Sequence, residues 1–463
     1  MYFSNALKFI KIFFIFFYLI SYSEISYAVE IDFTRYLSHH LPNDDKQNKV
    51  SFFGVNGPAY LYVCIPDPKT KLIIELNGIQ VFHNGTNLSK KCFKEYIKLS
   101  KNNDLAVYFE NFVDGKISIR IKQKADVNLN VISRIHFNTN VKDFNISKAF
   151  YSILGFESLS GFPETNTLDM ARAMGIKNPT SYDGSQGGEA GGYLLYGELI
   201  GINDFRGGVI DLIEFKIPRN EDVPYEQLNH LGIVSATMYT SNLDYDYEYM
   251  KENGINFIST PVTDSTGKKF VYFKDPDSTF YKLVEKSGIL QETKTTFIES
   301  LGEVTINVSD FERSRSWYKM FGYELLYENP NKYPLEISKA LGFEKEIKLK
   351  GGLFSHNEDK SKLELIQWIR PLDLERPYPI PINHLGIHRI ALATCNLEAD
   401  VEILKPQGVE FISDITPCCD GPNSSSGIVA FYDPDGTIIE LAEMPWFAKI
   451  LFPIIIWFRD LFN

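Results

Sequence analysis

The sequence predicts an α+β protein in which four repeated strand–helix–strand units follow a small all-β domain. Two recurrences carry the prediction. Asn229-His230-Leu231-Gly232-Ile233 returns as Asn383-His384-Leu385-Gly386-Ile387, 154 residues later (383 − 229). Asp143 and Asp310 each end an apolar run and precede a helical pattern that stops at a Gly twelve residues on (155 − 143, 322 − 310). Composition bounds the rest. The 463 residues suffice for about three domains. A hydrophobic share of 44% with 23% charged residues is the balance of globular protein. With 47 Lys+Arg against 59 Asp+Glu the net charge is −12, which argues against a nucleic-acid partner.

The chain opens as an export signal does. Lys8 and Lys11 precede an apolar run from Ile12 to Ile20, and Ser26-Tyr27-Ala28 places small residues where a signal peptidase cuts. The run is shorter than the roughly 20 residues a membrane span needs. Residues 1–28 are therefore expected to be a signal peptide, and the mature protein to be exported, periplasmic or extracellular. Residues 29–127 alternate apolar and polar side chains in short runs such as Ala59-Tyr60-Leu61-Tyr62-Val63, with Asn77-Gly78 and Asp114-Gly115 as hairpin signals. A small β-sandwich-like domain is expected there. His39, His40 and His83 have no carboxylates at ligand spacing and receive no role. Five cysteines stand at 64, 92, 395, 418 and 419. Outside the cytosol Cys64 and Cys92 could pair, as could Cys395 with Cys418 or Cys419, and the odd count leaves one thiol over.

From residue 130 the units follow. The first begins at Arg134-Ile135-His136-Phe137 and reaches Asp143; the third begins at Gly302-Glu303-Val304-Thr305 and reaches Asp310. Each Asp can cap the helix behind it. Phe150, Ile153 and Leu154 in one helix, and Trp317, Met320 and Phe321 in the other, give each one apolar face. The second and fourth units open on the Asn-His-Leu-Gly-Ile words and close through Asp275-Pro276-Asp277 and Asp433-Pro434-Asp435-Gly436, turns that feed a last strand. Taken as consecutive pairs, the units form domains at 130–287 and 298–445. The glycine-rich stretch Gly184, Gly187, Gly188, Gly191 and Gly192 lacks the Lys-Ser/Thr of a phosphate cradle and reads as a flexible insertion. The tail, 446–463, is apolar. Trp446 to Phe458 is too short to span a bilayer, and its flanking Trp446 and Trp457 suit either a membrane interface through residues 446–458 or packing on the protein's own core.

The strands ending Val-x-Asp, the Phe-Tyr and Trp-Tyr pairs in the helices, the Leu-Gly-Phe and Phe-Gly-Tyr stops and the Asp-Pro-Asp-Gly-x-x-x-Glu-Leu close resemble the vicinal oxygen chelate (VOC) superfamily: glyoxalases, bleomycin-resistance proteins and extradiol dioxygenases. The resemblance covers about residues 130 to 445. It implies two tandem VOC domains made of four βαβββ modules, each domain a curled sheet that cups a divalent metal or an organic ligand.

The resemblance also implies a ligand set, one residue from the first strand and one from the last strand of each module. The first lies seven residues before the capping position. Carried onto the second pair of units, this gives Glu303, Glu364, His388 and Glu440 as metal ligands, with Ni, Zn, Mn, Co or Fe as candidate ions and Glu440 and Glu303 as candidate catalytic bases. In the first pair the corresponding residues are His136, Asp211, Val234 and Lys282. Valine cannot ligate and lysine competes with a metal, so that pair is expected to be metal-free, with a Lys282–Asp211 ion pair in its place.

Two functions follow. A metal-dependent isomerase, lyase or epimerase would polarise a small carbonyl compound and move a proton through an enediolate. A single His in the set makes a dioxygenase the less expected enzyme. The alternative is a non-catalytic protein that sequesters a small hydrophobic or aromatic molecule, favoured by the 14% aromatic content.

Overall fold

A computed structural model of the chain describes residues 28–126 with interruptions, 129–161, 194–286, 295–371 and 382–448 with a few short interruptions, and the isolated Ala173 and Gly175. The expected export signal before Ala28, His39 and His40, Asp114-Gly115, the glycine-rich stretch, Cys418, Cys419 and the tail beyond Ala448 lie outside the described residues.

The N-terminal part contains two four-stranded antiparallel sheets. One has the order Phe33–Leu37, Ile117–Lys122, Gly57–Cys64, Cys92–Leu99; the other Lys49–Phe53, Asn102–Asn111, Lys71–Leu76, Ile79–His83. Alternation decides their buried sides: Leu61 and Val63 are buried on either side of the half-buried Tyr62, and Leu72, Ile74 and Leu76 are buried while the intervening Ile73 and Glu75 are only half-buried. Asn77 and Gly78 take φ of 54° and 77°, the left-handed pair that a two-residue hairpin requires. Cys64 and Cys92 stand directly opposite on neighbouring strands and are disulfide-bonded. Cys395 Sγ lies 3.9 Å from the Pro445 carbonyl.

Each of the four units that follow has an opening strand, a helix, middle strands (two in units one and three, three in units two and four, where two of them are only two residues long) and a closing strand that returns parallel to the opening one. The opening strands are Val131–Asn140, Gly232–Thr240, Ile298–Asn307 and Gly386–Thr394. Their parallel closing partners are Val209–Ile217, Phe280–Glu285, Lys362–Arg370 and Ile438–Glu443. Asp143 and Asp310 cap the helices Phe144–Ile153 and Phe311–Lys319, each accepting backbone N–H bonds, and Asn242 and Asn396 do the same in units two and four.

The pairing of units departs from the consecutive order expected. Two nine-stranded mixed sheets form, one from units one and four, the other from units two and three. The opening strand of unit one lies antiparallel to that of unit four, and the opening strand of unit two to that of unit three. Consecutive units do meet, but through their helices. Tyr151 of the first helix bonds the Tyr281 hydroxyl at 2.7 Å and donates to Asp275 at 3.1 Å, while Tyr318 of the third unit's helix donates to Asp433 at 2.9 Å. The Asp-Pro-Asp turns do more than reverse the chain. Asp277 accepts the Lys142 N–H at 3.1 Å and Asp435 accepts the Ser309 N–H at 3.0 Å, fastening each even unit to the odd one before it. The helices thus share a core between the two sheets, with Phe150, Tyr151, Phe273, Tyr281, Trp317, Tyr318, Phe321 and Phe431 in it. Each sheet keeps its other face for the cup.

The tail's first residues turn inward: Ala448 is buried against Ile132 and Ala393. Among the described residues no helix is long and apolar enough to cross a membrane.

Candidate functional site

This pairing divides the expected metal set. Glu303 and Glu364 lie in the sheet of units two and three, His388 and Glu440 in the sheet of units one and four. The expected Lys282–Asp211 pair is divided as well, since Lys282 belongs to the two–three sheet and Asp211 to the one–four sheet.

Register then corrects one position. The observed caps Asp143, Asn242, Asp310 and Asn396, counted back seven, give His136, Ser235, Glu303 and Arg389. In every unit the residue two further on faces the expected closing-strand position: Asn138 with Asp211, Thr237 with Lys282, Thr305 with Glu364 and Ala391 with Glu440. The cup-facing residue of unit four is therefore Arg389. His388 is buried one residue earlier, at a β-bulge where Asn138 pairs with Arg389 and Thr139 with Ile387. Val234 stands in the same relation to Ser235. A slip of one residue changes the face of a strand, and the His-rich word at 388 masked it.

The one–four cup accordingly presents His136, Asn138, Asp211, Arg389 and Glu440. Arg389, 4% exposed, donates from Nε to Glu440 at 2.7 Å, and its Nη2 lies 3.7 Å from Asp211. Asn138 donates from Nδ2 to the same Asp211 carboxylate. Burial pushes the Asp211 carboxyl up to about 7, Arg389 opposing and Glu440 reinforcing the shift. Burial likewise lowers His136 to about 4, against the attraction of Glu440, so its imidazole is neutral. Four buried polar atoms of this cluster have no partner among the described residues: His136 Nδ1, Asn138 Oδ1, Asp211 Oδ1 and Arg389 Nη1. Buried polar groups are ordinarily satisfied, and four orphans in one cluster mark a place prepared for another molecule.

The two–three cup is built differently. Tyr239 donates to Glu303 at 2.6 Å, and Thr305 and Asn329 donate to Glu364 at 3.0 and 2.8 Å. The Lys282 ammonium lies 4.8 Å from the Phe270 ring centre and 5.8 Å from that of Tyr272. Burial works against its charge, but Tyr272, Glu364 and Glu303 hold its pKa above the ordinary lysine value. Burial alone would raise the Glu303 carboxyl; Lys282 and the Tyr239 hydroxyl outweigh it and hold it low. Around these groups Phe270, Tyr272, Phe343 and Trp368 form an apolar cluster closed by Ile337 of the short helix Leu335–Ala340.

A divalent metal does not fit either donor set as arranged. In the one–four cup both carboxylates face a guanidinium that stays protonated at any physiological pH. In the two–three cup an ammonium stands among the carboxylates and no imidazole contributes. Among the described residues no group of three or more His, Cys, Asp and Glu is disposed to hold a metal.

The family model described as Glyoxalase/Bleomycin resistance protein/Dioxygenase superfamily matches residues 134–279 and 300–441. No curated protein sequence matches the chain. Among solved structures, glyoxalase I from Zea mays is 15% identical, covering 69% of this chain and 93% of its own at a TM-score of 0.47. A glyoxalase family protein from Enterococcus faecalis is 21% identical over 32% of this chain and 100% of its own, with a TM-score of 0.24. A mutant 4-hydroxymandelate synthase from Streptomyces coelicolor is 12% identical over 72% and 100%, with a TM-score of 0.25.

Proposed function

The chain belongs to the glyoxalase/bleomycin resistance protein/dioxygenase superfamily, and from that premise we propose that it is a small-molecule binding protein whose ligand occupies the cup of units one and four. The observation that carries this reading is the cluster of orphaned polar atoms around Arg389. Its guanidinium is already matched by Glu440, so a charged ligand would upset the balance. A neutral molecule bearing a carbonyl oxygen and a hydroxyl or amide fits better: Arg389 Nη1 offers a donor, and Asp211 Oδ1 and Asn138 Oδ1 offer acceptors. Side-chain size favours the same cup: Ala430 stands where the two–three cup has Tyr272 (430 − 272 = 158), whereas Ala393 is covered by Ala448 and Ala442 packs beside Ile428.

Native mass spectrometry of the mature chain against a panel of small neutral carbonyl and hydroxyl compounds tests the reading. Ala430→Tyr, which copies the plug of the other cup, is expected to abolish a one-to-one complex while leaving the circular dichroism unchanged. Undiminished binding by folded Ala430→Tyr would move the ligand elsewhere.

The metal-dependent isomerase, lyase or epimerase reading retains one supporting observation. His136 is held neutral with a bare Nδ1 beside Glu440, the protonation state a metal ligand needs. A metal there would polarise a carbonyl; Arg389 would first have to leave the carboxylates. We further propose that the protein is exported, with its N-terminal sheets forming a sandwich. The Cys64–Cys92 disulfide supports an oxidising compartment.

A further inference from the structure

We infer that Arg389 fills, with its guanidinium, the place a divalent ion would take in the one–four cup, so that this cup excludes metal through one residue at one position. The inference is independent of what the cup binds.

Asp211 and Glu440 come from closing strands in opposite halves of the sheet, and they are 3% and 6% exposed. Two carboxylates so placed need a counter-charge, because a buried anion without a partner is strongly disfavoured. Arg389 supplies it, bonding Glu440 at 2.7 Å and approaching Asp211 to 3.7 Å. The other three positions of the cup, His136, Asp211 and Glu440, all carry side chains able to ligate. Only the fourth is cationic. A guanidinium cannot be titrated off to admit an ion, as a lysine or histidine could.

The second sheet has reached the same balance from a different strand. There Lys282, on the closing strand of unit two, lies with Glu303 and Glu364, and the seven-before-cap position is the neutral Ser235. Two cups that place a side-chain cation among two carboxylates, from non-equivalent positions, share an electrostatic requirement rather than an inherited contact.

Arg389→His tests this directly. It sets a second imidazole beside His136, Asp211 and Glu440, a donor set suited to Zn²⁺ or Ni²⁺. The full mature chain is incubated with either ion, desalted and assayed for bound metal by elemental analysis, with a thermal melt in the presence and absence of the ion. Wild type and Arg389→Lys are expected to retain less than about 0.1 equivalent, and Arg389→His about one equivalent with a raised melting temperature. Adding Glu440→Gln to Arg389→His should lower the retained metal at least about tenfold. The inference is overturned if wild type keeps about one equivalent that Glu440→Gln removes, or if folded Arg389→His keeps none. Should Arg389→His not fold, the wild-type and Arg389→Lys measurements still decide. Metal retained there and removed by Glu440→Gln refutes it; metal refused by both supports it. A ligand screen that finds nothing would leave these readings untouched.

Discussion

The two sheets share one topology, one set of caps and one register, yet their cups have been furnished in opposite ways. Where the one–four cup has Ile428, Ala430 and Ala442, the two–three cup has Phe270, Tyr272 and Val284 at the same offset of 158. Where the first leaves imidazole, amide, carboxylate and guanidinium atoms without partners among the described residues, the second leaves only the Ser235 and Thr237 hydroxyls and the Trp368 indole N–H so, packs aromatic rings over its lysine and supplies each carboxylate with hydroxyl or amide donors. One cup resembles a site kept open, the other a site filled in to serve as core. The difference teaches that a family's shared positions survive as geometry after their chemistry has changed, and that side-chain volume around those positions says which copy still has room.

The largest expected effect breaks the filled cup. Tyr272 is 6% exposed within the aromatic cluster, so Tyr272→Ala should cost about 3–5 kcal/mol in denaturant unfolding. The reverse change, Ala430→Tyr, should cost less than about 3 kcal/mol if the one–four cup has room. Equal losses would mean that both cups are packed alike.

Next come the two cations. Arg389→Met strands two buried carboxylates and should cost about 3–4 kcal/mol, whereas Lys282→Met, at a partly buried site whose carboxylates keep their hydroxyl and amide donors, should cost about 1–2 kcal/mol. A larger loss at Lys282, measured by the same unfolding midpoints, would reverse the assignment of the better-satisfied cup.

How much of this was legible beforehand depended on the range of the signal. Asp143, Asp310, Gly155 and Gly322 announce helix ends because caps and left-handed stops are settled within a few residues; both glycines have positive φ, 94° and 88°. The choice of partner unit was not legible. Val131–Asn140 bonds a strand some 250 residues away, Gly386–Thr394, in preference to the nearer Gly232–Thr240. Nothing local distinguishes those edges, because each unit has two surfaces to bury, an opening-strand edge and a helix face, and sequence proximity does not say which neighbour takes which. His388 failed for a smaller reason: a bulge shifts the strand by one residue, and a histidine beside an arginine drew the eye to the wrong side. The docking role of Asp277 and Asp435 was hidden behind their role in turns.

A pH experiment compares the contacts that join consecutive units. Burial pushes the Asp275 carboxyl up to about 7 and Asp433 to about 6, Asp277 and Asp435 adding to the respective shifts. For an acid whose folded pKa is raised, the stabilising form is the protonated one. The contribution is complete below the unfolded value near 4 and is lost as pH rises through the folded pKa. Between pH 7 and pH 5, wild type should therefore gain about 2 kcal/mol relative to Asp275→Asn and about 1 kcal/mol relative to Asp433→Asn. Urea unfolding at the two pH values checks it, and a gain on going to higher pH would refute the assignment.

The smallest effect separates the helices of units one and three. Asp143 accepts two backbone N–H bonds, from Asn145 at 3.0 Å and Ile146 at 3.1 Å, and no other acidic residue stands in that first turn. Asp310 accepts one, from Arg313 at 3.0 Å, and Glu312 follows it in the turn to complement the helix dipole. Around Asp310 the entry is also held by Asp435, which takes the Ser309 N–H and pairs with Arg313. Removing the cap should therefore be felt more where it acts alone. Asp143→Ala is expected to cost about 1–2 kcal/mol and Asp310→Ala about half of that. If the two are equal in thermal unfolding, the Asp435 fastening contributes nothing to the helix start, and the contact between units three and four is weaker than its hydrogen bonds suggest.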